Sequence, residues 1–297
     1  MSGKKPKLPF IIFETTSRCN LNCRYCYNIW KRPGETDIVK DSYKKARKTL
    51  KQIFKQADVE QVTFTGGEPL IAERFQELVL FTRLKKKSVS VISNGNAGSR
   101  DDYSMLIKLG VELFEFPVHS AQAEIHDFMT TVNGSWEKAV QSVKDVTELG
   151  GNVVAVIVIT KANYSVIRET LEFISSLGIK RIMLNRYNIG GNGIAQPENV
   201  VLSKAQLNEA FSVANIAVKE LKLRLTSNVC TPLCLLDPAD HKNIGFTSCS
   251  SNIYNKPLTL DIDGNMRICN HSPVVIGNIY EEPLEKILAS PYLKQWL

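Results

Sequence analysis

No part of the 297-residue chain has the run of roughly 18 apolar residues that a membrane-crossing helix needs. The longest apolar run, Val153 to Ile159, has the length of a strand. Residues 1–9 carry Lys4, Lys5 and Lys7 but no apolar core, so they do not read as a secretory signal and a cytoplasmic location is expected. The charge excess is small: 37 Lys and Arg stand against 30 Asp and Glu, a net +7. Lys44, Lys45, Arg47, Lys48, Lys51 and Lys55 share one helical segment, which reads as a solvated face. There are only four histidines, and no C-x2-C…H-x3-H pattern or aromatic–basic interleaving supports a zinc-dependent nucleic-acid module, which stays a remote alternative. Low-complexity and fibrous compositions are also absent.

Cysteine is missing from the whole middle of the chain. Cys19, Cys23 and Cys26 stand near the start, Cys230, Cys234, Cys249 and Cys269 near the end, and none lies between. An odd number of thiols in a reducing compartment points to metal rather than disulfides. Three thiolates leave one coordination position open, and four can close a site. On spacing alone both zinc and an iron–sulfur cluster remain possible for each group.

Short apolar runs alternate with helical patterns over the first two-thirds. Strands are expected at 10–14, 61–65, 88–93, 113–118, 152–160 and 181–187, with helices around 41–56, 71–85, 101–109, 136–149 and 164–177. Nearly continuous apolar strands indicate a parallel sheet covered on both faces. Six β-then-α units are too few for a closed eight-stranded barrel, so a partial (β/α)6 TIM-like barrel is expected, with its site at the C-terminal strand ends. The Gly190-Gly191-Asn192-Gly193 cluster breaks the pattern, and a helix capped by Ser203 follows over about 203–222. Beyond it the chain turns Cys-rich, with a hairpin in which 258–262 and 266–268 flank Asp263-Gly264. The organisation expected is a flexible N-terminus over 1–9, the partial barrel over 10–200, and a small Cys-rich domain over 201–297.

The first cysteines form Cys19-x3-Cys23-x2-Cys26, with Tyr25 just before the last, on a loop after a strand. The strand 61–65 runs into Gly66-Gly67-Glu68-Pro69, where two glycines permit close backbone approach and a proline suits the first turn of a helix. Together these motifs resemble the radical SAM superfamily. The resemblance implies that Cys19, Cys23 and Cys26 hold a [4Fe-4S] cluster and that S-adenosylmethionine chelates its fourth iron. One electron then cleaves S-adenosylmethionine to methionine and a 5′-deoxyadenosyl radical, which abstracts hydrogen from a substrate. It further implies that Tyr25 lies against the adenine and that Gly66, Gly67, Glu68 and Pro69 hold the S-adenosylmethionine amino group. A Cβ at Gly67 is then expected to crowd the methionyl moiety. Ser93-Asn94-Gly95 resembles the family's strand-end motif near the methionyl group or substrate. Glu124-Ile125-His126-Asp127 with Gly134-Ser135-Trp136, and Asn185-Arg186-Tyr187 with Gly190-Gly191, resemble the subgroup with C-terminal cluster domains.

One departure stands at the fourth strand end, where relatives often show Ser-x-Asp-Gly and this chain has Pro117-Val118-His119-Ser120. Ser120 is the candidate replacement for the S-adenosylmethionine contact, and His119 is a candidate catalytic residue facing the cavity. His126, His241 and His271 have no supporting pattern and read as structural. The last four cysteines, with the Asp-Gly hairpin and Gly277-Asn278-Ile279, resemble the SPASM/twitch extensions. Four thiolates suit the twitch form with one auxiliary [4Fe-4S] cluster, and Cys230 is the least secure ligand.

The implied enzyme is oxidoreductase-like and depends on S-adenosylmethionine. Its leading expectation is maturation of a ribosomally made peptide by crosslink, thioether or epimerisation. A small-molecule or tetrapyrrole oxidoreductase is the alternative. The implied partners are a flavodoxin- or ferredoxin-type electron donor and, since no leader-binding domain precedes the first strand, a separate leader-peptide-binding protein. Neither membrane nor nucleic acid is an expected partner.

Overall fold

The computed structural model describes residues 5–34, 41–195 and 197–295. Strands and helices alternate as β1 (Lys7–Glu14), α1 (Ser42–Gln56), β2 (Asp58–Thr65), α2 (Phe75–Leu84), β3 (Ser88–Ile92), α3 (Arg100–Lys108) and β4 (Val111–Pro117). They continue as α4 (Ala123–Thr130), α5 (Ser135–Glu148), β5 (Val153–Ile159), α6 (Ile167–Ser176), β6 (Arg181–Arg186) and α7 (Lys204–Glu220). Short elements complete the chain: β7 (Arg224–Ser227), β8 (Ile244–Phe246), β9 (Thr259–Asp261), β10 (Asn265–Arg267), β11 (Val275–Asn278) and α8 (Leu284–Leu288). Among the described residues no helix is long and apolar enough to cross a membrane.

The six expected strands are present, parallel and adjacent. β1 pairs with β2 at Phe13↔Phe64, and β5 with β6 at Ile157↔Leu184. Val153, Ala155, Ile157 and Ile159 point one way from β5 and are buried beneath the helices. Burying each Val, Ile or Phe of this layer contributes about 1.5–3 kcal/mol. Phe13, Phe64 and Phe75 meet edge to face, with ring centroids 6.0 and 5.5 Å apart, and fasten α2 to the first two strands. Ser203 caps α7 as expected: its hydroxyl accepts from the Gln206 N–H at 3.2 Å, and the Gln206 side chain accepts from the Ser203 N–H at 3.0 Å.

Two expectations about the ends of the chain are corrected. Lys7–Pro9 belong to β1 rather than to a loose terminus, because Leu8 is fully buried and Leu8 pairs with Val59. The α/β sheet is open, and it does not stop at the sixth strand. Its 11 strands run β8-β7-β6-β5-β4-β3-β2-β1-β9-β10-β11. Residues beyond 200 therefore add strands at both edges: β7 and β8 continue past β6, and the Cys-rich hairpin docks on β1 at Phe13↔Leu260. Edge strands present unpaired N–H and C=O groups, and this pairing covers those of β1.

A buried ion pair fixes the hairpin. Arg267 Nη1 donates to Glu14 Oε2 at 2.7 Å, and the two side chains are 7% and 5% exposed. Trp30 Nε1 donates to the same carboxylate at 3.1 and 3.3 Å, and the guanidinium lies 4.2 Å over the Trp30 ring. Arg267 also reaches Asp261 at 3.4 Å. Burial pushes the Glu14 carboxyl above its ordinary range, more than Arg267 and Trp30 pull it down. The pair is thus a locating device rather than a large net source of stability.

Removing one partner leaves a buried, uncompensated charge. Arg267→Met is expected to cost about 3–5 kcal/mol in urea unfolding at neutral pH. Adding Glu14→Gln should recover part of that loss. With its cation gone, the folded-state pKa of Glu14 rises further, so stability falls as pH climbs past the unfolded carboxyl value of about 4.3. The deficit of Arg267→Met relative to wild type should therefore shrink at pH 4. A deficit that is the same at both pH values would show that Glu14 is not the residue left unpaired.

Candidate active site

The cavity of about 260 Å³ at the mouth of the half-barrel is lined by residues from the cysteine loop, from the ends of β2 to β6, and from the segment after β10. The cysteine loop leaves β1 at Glu14. Arg18–Cys19 pairs in parallel with Arg32–Pro33, closing the loop on itself. Cys19, Leu21 and Cys23 are buried together, and Cys26 N–H donates to Cys23 O at 3.1 Å. Burial pushes the Cys23 thiol up to about 12, with Cys26 and Cys19 adding to the rise, and burial likewise raises Cys19. Thiols in such a place ionise only when positive charge is bound beside them, as iron supplies. Among the described residues no three His, Cys, Asp or Glu side chains stand close enough to hold a single metal ion. Three thiols packed together on one loop suit a multi-iron cluster, whose ligands attach to different irons.

The glycine motif sits against this loop. Gly67 N–H donates to Thr16 O at 2.7 Å and Glu68 N–H to Arg18 O at 2.8 Å. Gly66 has φ +147°, a region that favours glycine, and a Cβ on Gly67 would overlap the Arg18 carbonyl. Gly67 thus packs closely on the cysteine loop as well as lining the cavity. Glu68 is fully buried outside the cavity lining. Its Oε1 accepts from Leu70 N–H at 3.0 Å and Ser93 Oγ at 2.9 Å, and its Oε2 from Asn94 N–H at 2.7 Å. Burial lifts this carboxyl to about 7 against those hydrogen bonds. Glu68 thus ties the end of β2 to the end of β3. Pro69, also buried, starts the single turn that follows.

Tyr25, Gly66, Gly67, Ser93, Asn94 and His119 stand in the cavity wall; Glu68, Pro69 and Ser120 do not. Asn94 Nδ2 donates to Asn20 Oδ1 at 2.7 Å and lies 3.6 Å from Cys19 Sγ. Ser120, the candidate S-adenosylmethionine contact, is fully buried and does not line this cavity, whereas His119 does. Ser120 Oγ accepts from Gln122 N–H at 3.0 Å and its carbonyl from Trp136 Nε1 at 2.9 Å, which fixes the entry to α4. His119 is fully buried, with its ring 4.5 Å edge-on to Tyr25 and 5.2 Å from His126. Its Nδ1 accepts from Val158 N–H at 3.3 Å, so the proton is assigned to Nε2, which has no partner among the described residues. Burial, with His126 adding to it, holds His119 well below the ordinary imidazole value, so it is neutral.

The structure adds residues that sequence reasoning passed over. Lys31 lines the cavity beside the cysteines. Glu115 faces it from β4, lifted to about 7 by burial against the pull of Arg181; an acid at an inward position of an apolar strand was a readable signal. Tyr27 follows Cys26 directly, and its hydroxyl accepts from Asn270 Nδ2 at 3.0 Å while its ring lies 4.2 Å from His271. Asn270 and His271 follow Cys269, so the two cysteine groups meet across the cavity wall.

At the second group, Cys230 lies within hydrogen-bond reach of Cys249, and the charge of Cys249 acts on Cys269. Lys256 is buried and its charge also acts on Cys269. Arg186, at the end of β6, donates to Cys230 O at 2.6 Å and Thr231 Oγ1 at 3.1 Å, holding this segment at the barrel mouth. Cys234 is exposed.

The profile of the Radical SAM superfamily matches residues 13–174, and that of the SPASM iron-sulfur cluster-binding domain matches residues 249–297. The chain belongs to the radical SAM superfamily. Membership brings that family's cofactors, S-adenosylmethionine and a [4Fe-4S] cluster, and the second domain brings auxiliary iron–sulfur ligation. Pre-heme d1 synthase of Dinoroseobacter shibae is 28% identical over 62% of this chain and 45% of its own. The antilisterial bacteriocin subtilosin biosynthesis protein AlbA of Bacillus subtilis is 24% identical over 96% of this chain and 60% of its own. The chain thus spans about half the length of these curated relatives. Streptococcus suis SuiB bound to S-adenosylmethionine shares the fold, with a TM-score of 0.74 at 15% identity over 98% of this chain and 67% of that one.

Two outcomes are expected from substitution here. Gly67→Ala should displace the cysteine loop and lower iron at the first site, since its Cβ meets the Arg18 carbonyl. Full iron with weakened S-adenosylmethionine binding would restore the ligand-crowding view. At the second group, Cys230→Ser should lose auxiliary iron while Cys234→Ser retains most of it, as counted by iron and sulfide analysis after anaerobic reconstitution. The reverse order would mean that the 230–234 segment rearranges when it binds iron.

Proposed function

We propose that this protein is a radical SAM enzyme that cleaves S-adenosylmethionine reductively and abstracts hydrogen from a peptide, in the maturation of a ribosomally made product. The observation that carries the reading is the shared cavity. The three loop thiols, the glycine turn and the ends of β3 and β4 converge on it, and the residues after Cys269 close its side.

Cys19, Cys23 and Cys26 would hold the first cluster, and Cys230, Cys249 and Cys269 an auxiliary one. Bound there, the first cluster would supply the electron for reductive cleavage of S-adenosylmethionine. The protein's own work is placement and shielding. Gly66 and Gly67 bring backbone up to the cysteine loop, and Glu68 locks the ends of β2 and β3 at one height. Ser93 and Asn94 offer polar groups to the ligand from β3. Tyr25 and neutral His119 form a dry wall that keeps water from a reactive species. Glu115, lifted to about 7 by burial, offers a carboxyl to whatever fills the cavity floor.

The peptide reading draws on the subtilosin biosynthesis protein matching nearly the whole chain, Cys-rich end included. The pre-heme d1 synthase match keeps a tetrapyrrole or other small molecule as the second reading. A flavodoxin- or ferredoxin-type donor would supply the electron, and a separate leader-binding protein would present the peptide. Seven unpaired thiols suit a reducing compartment such as the cytoplasm.

Anaerobic reconstitution should give about eight iron per chain, four per cluster. Replacing Cys19, Cys23 and Cys26 by Ala should leave about half of that iron and abolish 5′-deoxyadenosine formation with dithionite. Cys249→Ala or Cys269→Ala should spare 5′-deoxyadenosine but stop product formation. Chromatography of both products decides: wild-type turnover in the Cys269 variant would reduce the second group to a structural role.

A further inference from the structure

The cavity wall carries a half-buried lysine that no cofactor motif accounts for. Lys31 lies in the wall beside the cysteine trio, its Nζ donating toward Cys26 Sγ at 3.7 Å and reaching Cys19 as well. No carboxylate among the described residues forms an ion pair with it. Glu68, the acid whose charge Lys31 does feel, has both oxygens engaged by Leu70, Ser93 and Asn94. The three sulfurs are therefore the counter-charge of this lysine.

Its placement is built in. The preceding residue, Trp30, is held by two hydrogen bonds to Glu14, covered by the Arg267 guanidinium, and fixed at its backbone by Asn28 Oδ1 at 3.1 Å. A long, flexible side chain is thereby launched from a pinned backbone toward the sulfurs, which reduces the entropy lost in ordering it.

We propose that Lys31 is a positioning and charge-setting residue for the cluster held by Cys19, Cys23 and Cys26, raising its reduction potential so that the physiological donor can reduce it. The inference rests on the reading that this trio carries a [4Fe-4S] cluster. Reduction adds one electron, supplied by the flavodoxin- or ferredoxin-type donor, and makes the thiolate-bound cluster more negative. An ammonium beside the sulfurs and N–H···S hydrogen bonds favour that reduced form. Lys31 itself is neither oxidised nor reduced.

The experiment is an anaerobic redox titration of the reconstituted full chain, followed by electron paramagnetic resonance. The signal of the first cluster is assigned by its change on adding S-adenosylmethionine. Wild type is compared with Lys31→Met, Lys31→Gln and Lys31→Arg. Both neutral variants should bind iron as wild type does and show a more negative midpoint potential, with Lys31→Arg returning toward wild type. An unchanged midpoint at full iron content overturns the proposal. So does an unchanged midpoint with weakened S-adenosylmethionine binding, which would assign Lys31 to the ligand's carboxylate. Loss of the cluster from both neutral variants but not from Lys31→Arg overturns it too, assigning the residue to assembly. If wild type itself gives no cluster signal that responds to S-adenosylmethionine, the parent reading fails instead.

Discussion

The buried contact of Glu14 with Arg267 and Trp30 is the constraint on which the site's layout rests. Glu14 ends the first strand and opens the cysteine loop, Trp30 closes that loop, and Arg267 stands two residues before Cys269. One carboxylate thereby ties the cysteine loop to the hairpin that ends in Cys269. Burial and the nearby Asp261 work against its ionised form, and the Arg267 guanidinium and the Trp30 indole N–H favour it. Such an arrangement offers little net stability and much geometric definition. That suits a protein in which two redox-active groups must face one cavity.

A second lock works inside the barrel. The glycine turn after β2 has no room for side chains because the cysteine loop's backbone occupies that space, and Glu68 then carries the same restraint to β3. Three successive strand ends become one rigid rim. Preorganisation of this kind matters where the bound group, rather than the protein, supplies the hard chemistry. His119 fits the same logic as a wall: neutral, dry and edge-on to Tyr25, it excludes charge and water together.

A lysine accompanies each thiol group, half-buried Lys31 beside the first and buried Lys256 beside Cys269. A set of thiolates in a protein interior needs positive charge for the same reason that buried carboxylates do. Placing that charge on Lys keeps it compact and allows it to hydrogen-bond to sulfur.

The class was legible in local sequence, and Cys19, Cys23, Cys26, Gly66 and Gly67 of the motifs that mark it line one cavity. Short, nearly continuous apolar runs between helical patterns located the six parallel strands, and Ser203 marked the start of α7. The spacing Cys19-x3-Cys23-x2-Cys26 with Gly66-Gly67-Glu68-Pro69 marked the family, because both motifs are local and their chemistry lies in neighbouring residues. What only the tertiary structure decided depends on partners far apart in the chain. The hairpin joins β1 because Leu258 and Leu260 complete a layer begun by Phe13, a pairing no local pattern announces. Gly67 packs against the Arg18 carbonyl while lining the cavity, and Ser120 is buried behind the cavity wall. Lys31 belongs to the site because Glu14 and Arg267 hold the residue before it. Local sequence fixes what a residue can do, but the long-range packing of β1 against the C-terminal hairpin decides which residues face the cavity.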